Sequence, residues 1–239
     1  MAEALNVLTR DRFFAVCAKP PGVLSEAGKP GSLPDLLGAF LRAQGEQPDV
    51  FVVHRLDREA GGLTVLARTP WSAAKLTAAI NEGAFEKEYL AVLRGKPEQT
   101  EAELEDLLFH DSRVNKTYVV KRPRVGVRPA KLAYRVLAEA EENGKPLTLV
   151  RVRLYTGRTH QIRAQFSSRG LPLWGDARYG GGGGGLALWS CFLSFPHPRT
   201  GYRTRFFLPP PDTAPWNGFP VDCLREPNPL RAAAELSER

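Results

Sequence analysis

Asp57 is the residue most able to do chemistry. It stands in FVVHRLDREAGGLTVLAR, Phe51 to Arg68, as a lone carboxylate between Arg55 and Arg58. Apolar residues run up to Leu56, a polar turn with two glycines follows, and a second apolar run begins. The stretch therefore reads as a hairpin with Asp57 at its tip. A tip is where a scaffold presents a nucleophile or a base to a ligand. Tyr89, in KEYLAVLRG, offers a phenol, and RTHQIRAQF adds His160, Gln161 and Arg163. Taken singly, each has a plain structural reading. Aspartate is common in turns because it bonds nearby backbone N–H groups. Tyr89 packs as an aromatic, Arg163 serves as a surface ion-pair partner, and His160 and Gln161 are helix-start residues.

Several chemistries are excluded. His54-Arg55-Leu56-Asp57 is not a kinase catalytic loop, which lacks the intervening Leu and needs a glycine-rich loop and an Asp-Phe-Gly. The six consecutive glycines Gly180 to Gly185 are followed by no Lys-Ser or Lys-Thr, so they form no phosphate-binding loop; they read as a mobile connection. No Cys-x-x-Cys occurs, and the four histidines lack metal-ligand spacing. Cys17, Cys191 and Cys223 are odd in number and far apart, which fits a reducing cytoplasm rather than a disulfide framework. The N-terminus shows no signal-peptide h-region, and no apolar run approaches the roughly 20 residues of a membrane span.

The elements that must position these residues follow from periodicity and punctuation. RFFAVCAKPPGVLSE reads as a short strand closed by Pro20, Pro21 and Gly22. SLPDLLGAFLRAQG reads as a helix capped by Ser32, with Leu33, Leu36, Leu37, Phe40 and Leu41 on one face. TPWSAAKLTAAINEG is a helix with Thr69 at N-cap, Pro70 at N1 and Gly83 past its end. FEKEYLAVLRG is a strand. TLVRVRLYTG alternates, with Val150, Val152 and Leu154 on one face and Arg151 and Arg153 on the other. RTHQIRAQFSSRG is a short helix capped by Thr159, and LALWSCFLSF with RTRFFLPPP forms a last hairpin. Strands outnumber helices and most connections are hairpin-like, so the fold class is α+β with a largely antiparallel sheet. One catalytic domain is expected over 1–211. Residues 212–239 read as a loosely attached polar tail whose last segment is helical.

The net charge is +7, with a pI near 9.5. The segment RVNKTYVVKRPRVGVRPAK, Arg113 to Lys131, holds seven basic residues and no acid, while the rest of the chain carries 26 of each sign. Such a patch points to a polyanion, nucleic acid first.

Together, HRLDREAGGLTVLAR, KEYLAVLRG and GRTHQIRAQF resemble the RluA family of pseudouridine synthases. Gly157 to Arg163 match that family's Gly-Arg-Thr-His-Gln-[Ile/Leu]-Arg motif without a change, and Lys87, Tyr89 and Ala91 match its Lys-x-Tyr-x-Ala. AVCAKPPGVL, GDARYG (Gly175 to Gly180) and LSFPHPRTG (Leu193 to Gly201) extend the likeness over roughly residues 5 to 210. Two departures stand out. The family's Thr-Ser after the catalytic segment is Ala60-Gly61 here, which removes two hydroxyls able to brace the loop. Its usual Leu-His-Ala reads Leu188-Trp189-Ser190.

The resemblance implies a mixed, mostly antiparallel bent sheet with flanking helices and a central active-site cleft. It implies an isomerase that breaks the N1–C1′ bond of a uridine in folded rRNA or tRNA, turns the uracil and forms a C5–C1′ bond. This isomerisation needs no cofactor and no metal. Asp57 is then the essential carboxylate, Arg163 the cation that keeps it ionised, and Tyr89 the ring that stacks on uracil and the candidate base for the C5 proton. Arg55 fills the gap left by a flipped base, while Arg58 remains a surface charge. His54, Arg158 and His160 order the site. Lys121, Arg122 and Arg124 grip phosphates. A monomer in the cytoplasm, with structured RNA as its partner and no membrane, completes the expectation. The loss at Ala60-Gly61 allows a second reading, an RNA-binding module that keeps the fold without turnover.

Overall fold

The computed structural model describes residues 5–225. The chain divides into two compact units: the first runs through Lys87 and takes back Trp189–Leu208, and the second runs over Glu88–Leu188 and resumes at Pro209.

In the first unit, β1 (Asn6–Arg10), β2 (Phe14–Lys19), β4 (Gly61–Ala67) and β10 (Leu188–Pro196) lie side by side. The short β3 (Phe51–Val52) pairs with β4, and β11 (Arg203–Phe207) with β10. The β4–β10 pair runs parallel and the others antiparallel, so the sheet is mixed. Side chains on β2 alternate between two clusters. Phe14 and Val16 join Leu63, Val65 and Leu76 of α2 (Pro70–Asn81), whereas Ala15 and Cys17 join Leu33, Leu37 and Leu41 of α1 (Leu33–Ala43). Both faces are thus covered, which is why every residue of β4 is buried. Each fully buried leucine of α1 contributes about 1.5–3 kcal/mol.

Helix α2 starts as its sequence demands. Thr69 Oγ1 accepts from Ser72 N–H, Ser72 Oγ accepts from Thr69 N–H, and Gly83 follows the last turn with φ +72°. At α1, Ser32 occupies the N-cap but makes no capping bond. Asp35, in the first turn, reaches back to Gly31 N–H at 2.8 Å instead.

The second unit is an antiparallel sheet in the order β5 (Glu86–Arg94), β9 (Lys145–Leu154), β8 (Val127–Glu142), β6 (Glu101–Asp111), β7 (Lys116–Val120). Ala164 of α3 (Gln161–Ser167) packs on Leu108, Ala130 and Tyr179. Helix α3 is not capped by Thr159. His160 takes the N-cap with a left-handed φ of +53° and no side-chain cap, a conformation that local sequence does not announce in a residue other than glycine.

Two further expectations are corrected. The glycine run is not a mobile connection. Gly181 accepts hydrogen bonds from Gly175 N–H (3.0 Å) and Arg94 Nε (2.6 Å), and it donates to Asp176 O (2.8 Å). A Cβ on Gly181 would fall 1.7 Å from Leu173 O. The described part of the C-terminal tail, 212–225, is not loose either. Trp216, Phe219 and, in α4 (Val221–Arg225), Leu224 are buried, and Cys223 Sγ lies 3.7 Å from Leu137 O. The helix expected at the end of the tail lies outside the described residues.

Candidate active site

Asp57 sits on a loop, 53–60, between β3 and β4. The two glycines expected in the turn begin β4 instead. Tethers flank the aspartate on both sides. Leu56 exchanges two bonds with the Ser25 hydroxyl, its N–H donating at 3.1 Å and its carbonyl accepting at 3.0 Å. The Arg58 carbonyl accepts from Gly22 N–H (2.7 Å) and from Lys19 Nζ (3.1 Å). Ala60 N–H closes a turn on the Asp57 carbonyl at 3.1 Å. Arg58, expected as a plain surface charge, donates its Nε to Gly22 O at 2.9 Å and so fastens the same turn from outside.

Lys19 is the residue that sequence reasoning passed over, although it lies within AVCAKPPGVL. It ends β2 with its side chain buried. Its ammonium donates to three carbonyls, Pro20 (3.0 Å), Val23 (2.8 Å) and Arg58 (3.1 Å). Burial lowers its pKa to about 8, against the pull of the Asp57 and Glu59 carboxylates. The three carbonyls also need its protons.

His54 is half-buried. Its Nε2 accepts Val65 N–H at 3.1 Å, and its ring lies 5.3 Å from that of Phe85. Burial, and then the charge of Lys87, push its pKa down to about 3, so the ring is neutral. Its Nε2 thereby serves the backbone of β4. Arg55 is exposed and pairs with Glu26 at 2.8 Å, a surface pair of low strength.

In the second unit, Tyr89 is buried on β5 opposite Val152. Its neighbour Glu88 accepts from Arg151 Nε at 2.6 Å, both side chains fully buried. Arg163, on α3, is buried and bidentate: Nε donates to Asp176 Oδ2 (2.7 Å) and Nη2 to Oδ1 (2.9 Å). That contact uses two of the five guanidinium donors and fixes the plane of the head group. Tyr179 lies against it, ring centroid 5.2 Å from Cζ. The Tyr179 hydroxyl accepts Thr117 N–H at 2.7 Å and lies 3.2 Å from His160 Nδ1. Desolvation raises its pKa. Asp176 and Tyr179 both come from GDARYG, a stretch to which sequence reasoning gave no role. Arg158 is exposed and held by Pro129 O at 3.0 Å.

Lys121, Arg122 and Arg124 lie exposed at the tip of the β7–β8 hairpin, beside Val125, which is 98% exposed. Arg124 stacks over Phe109 at 4.5 Å. The basic segment is narrower than its sequence suggests. Lys131 is neutralised by Glu103 (2.7 Å) and Glu105 (2.8 Å), and Arg113 by Asp111 (3.3 Å). The charge is concentrated at the hairpin tip.

A profile of the RNA pseudouridylate synthase family matches residues 14–168. Among curated proteins, the dual-specificity RNA pseudouridine synthase RluA of Vibrio parahaemolyticus is 31% identical over 215 residues, covering 85% of this chain and 82% of that protein. The ribosomal large subunit pseudouridine synthase D of the same organism is 32% identical over 230 residues, covering 87% and 68%. The Bacillus subtilis protein YhcT, an uncharacterized RNA pseudouridine synthase, is 33% identical over 182 residues, or 74% of this chain; this chain spans 58% of its length. Among solved structures, human RNA pseudouridylate synthase domain containing 1 superposes with a TM-score of 0.74 at 23% identity, covering 97% of this chain and 92% of that one. Human domain containing 4 gives 0.71 at 20%, covering 86% and 88%. These structures share the α+β fold. With its HRLD loop, its Lys-x-Tyr-x-Ala strand and its GRTHQIR helix start all in place, the chain belongs to the RluA family of RNA pseudouridine synthases, isomerases that act on uridine in RNA.

Proposed function

We propose that this protein isomerises uridine to pseudouridine in ribosomal RNA or tRNA, as a cytoplasmic monomer without a cofactor, its two units serving as one catalytic domain. The observation that carries the reading is the pair of tethers flanking Asp57. Ser25 fixes the residue before it, and Lys19 with Gly22 fixes the residue after it. A loop held that closely around one carboxylate is preorganised to use it.

Asp57 acts ionised, whether it attacks the sugar carbon or takes a ribose proton. Arg163, its plane set by Asp176, is the cation that partners and orients the carboxylate. Tyr89 stacks on the uracil, and its hydroxyl is the candidate base for the C5 proton. The proton count closes: one leaves C5, one is gained at N1, and the product is an isomer. Flipping the uridine out of its stack costs a few kcal/mol. Arg55 fills the gap, since its exposed pair with Glu26 is weak enough to exchange for a stacked base. Arg158 and His160 shape the approach, and Lys121, Arg122 and Arg124 hold phosphates.

The test is to incubate the protein with total RNA from a host that lacks its own copy and map pseudouridine. The expected result is at least one new site with wild type and none with Asp57→Ala. A wild-type map identical to the Asp57→Ala map defeats the reading.

A further inference from the structure

Gly61 opens β4, directly after the Asp57 loop, and its φ lies outside the left-handed region. Backbone conformation does not demand glycine there; space does. A Cβ on Gly61 would lie 2.5 Å from Cζ3 and 2.8 Å from Cε3 of Trp189, and 3.1 Å from Cδ of Pro21. Trp189 is the register partner of Gly61 across the parallel β4–β10 pair. Its indole Nε1 donates to Leu208 O at 3.0 Å, which ties the ring to the chain just past β11. One edge of the indole therefore occupies the volume that any side chain at 61 would fill.

The position matters because of what adjoins it. Ala60, next to Gly61, donates the N–H that closes the Asp57 turn, and Pro21 precedes Gly22, whose N–H donates to Arg58 O. The ring stands where the exit of the Asp57 loop meets the Pro20–Gly22 turn. Ala60 and Gly61 bring no hydroxyl to that point, so no side chain of their own can fasten it. A rigid bicyclic ring with its own hydrogen bond can do so by packing, and it gives up only two rotatable bonds.

We propose that Trp189 is a positioning residue for Asp57: the indole takes the space left open at Gly61 and braces the exit of the catalytic loop. The two departures in this sequence, Gly61 and Trp189, are then one exchange, packing in place of hydroxyls. This rests on the synthase reading above.

The experiment follows the mark found by mapping, on the same total RNA, over time and over a range of protein excess. It yields a saturated rate and a half-saturating protein concentration. Gly61→Ala, whose methyl would displace the ring, and Trp189→Ala are each expected to slow the saturated rate by about 10²-fold, the cost of misplacing a catalytic group by about 1 Å. The half-saturating concentration should stay at the wild-type value. The double variant, in which the methyl enters space the ring has vacated, should be faster than Gly61→Ala alone.

A wild-type rate in either single variant, a change confined to the half-saturating concentration, or losses that multiply in the double variant would each overturn the proposal. Circular dichroism checks folding. If Trp189→Ala fails to fold, Gly61→Ala decides alone: a slowed saturated rate at unchanged half-saturation supports the brace, and an unchanged rate refutes it. If wild type itself makes no mark, the synthase reading falls, and that is seen without any Trp189 variant.

Discussion

The Asp57 loop and the α3 region are both held firmly, by opposite means. Around Asp57 nearly every tether ends on a main-chain atom: Leu56 N–H and carbonyl, Arg58 carbonyl, Gly22 carbonyl. Around Arg163 the tethers are side chains, namely the Asp176 carboxylate and the Tyr179 ring. A loop fixed through its backbone can change exposed side chains and keep its course, provided the new side chain meets no neighbour as one at Gly61 would. A buried ion pair permits no such drift, because a change in either partner strands a charge.

Three measurements would break or sharpen that contrast. The largest effect belongs to Asp176→Asn. Removing one member of a buried, bidentate pair should cost about 3–5 kcal/mol of stability, read as an earlier urea midpoint, with α3 the first region to lose amide protection. A variant that melts with wild type would mean that α3 is held by its packing and not by the pair.

Lys19→Met comes next. It takes one donor from each of the Pro20, Val23 and Arg58 carbonyls. Arg58 O keeps Gly22 N–H and Pro20 O keeps Val23 N–H, so the cost falls on Val23 O, at about 1–3 kcal/mol for a group left unsatisfied, partly offset because a buried charge is removed. The pH signature is more telling. The pKa of Lys19 falls from 10.5 unfolded to about 8 folded, so between those values the unfolded chain binds more protons and this group's contribution to stability rises with pH. The burial cost is fully present below pH 8 and relieved above 10.5. The rate should move the other way, falling as pH climbs through about 8 and the Lys19 nitrogen is left with two protons for three carbonyls. Lys19→Met should lack both trends. A rate in wild type that stays level from pH 7 to 9 would show that three carbonyls keep the ammonium protonated.

The smallest effect is expected where no tether is involved. Lys121→Ala, Arg122→Ala and Arg124→Ala combined should weaken RNA binding, lower the salt slope by about one for each phosphate no longer neutralised, and leave the melting curve unchanged. A stability loss comparable to that of Lys19→Met would mean that the hairpin tip is structural.

Much of this was legible in the sequence, for reasons that can be located. Thr69, Pro70 and Gly83 bound α2 because caps are local. Val150 and Val152 reveal β9 because strand periodicity is local. What stayed hidden depends on partners distant in sequence. Arg151 alternates onto the polar face of β9 yet is 1% exposed, because Glu88, 63 residues earlier, pairs with it. Lys131 reads as part of a basic patch until β6 brings Glu103 and Glu105 alongside. Lys19 reads as a strand-end cation until three carbonyls converge on it. Asp176 looks like one more loop acid until α3 presents Arg163. Of the site residues, the types were readable from motifs and the supports were not.

The glycine run carries a consequence of another kind. Stretches of one repeated residue are prone to gain or lose a unit when their gene is copied, and a flexible spacer absorbs such changes. This one is anchored: Gly181 bonds to Gly175, Asp176 and Arg94, and the space around Gly175, with φ +73°, excludes a side chain because Gly185 O lies in the way. One glycine more or fewer would shift those anchors out of step and pull on Asp176, the residue that sets Arg163. Six identical letters thus encode a length, and that length reaches to the guanidinium.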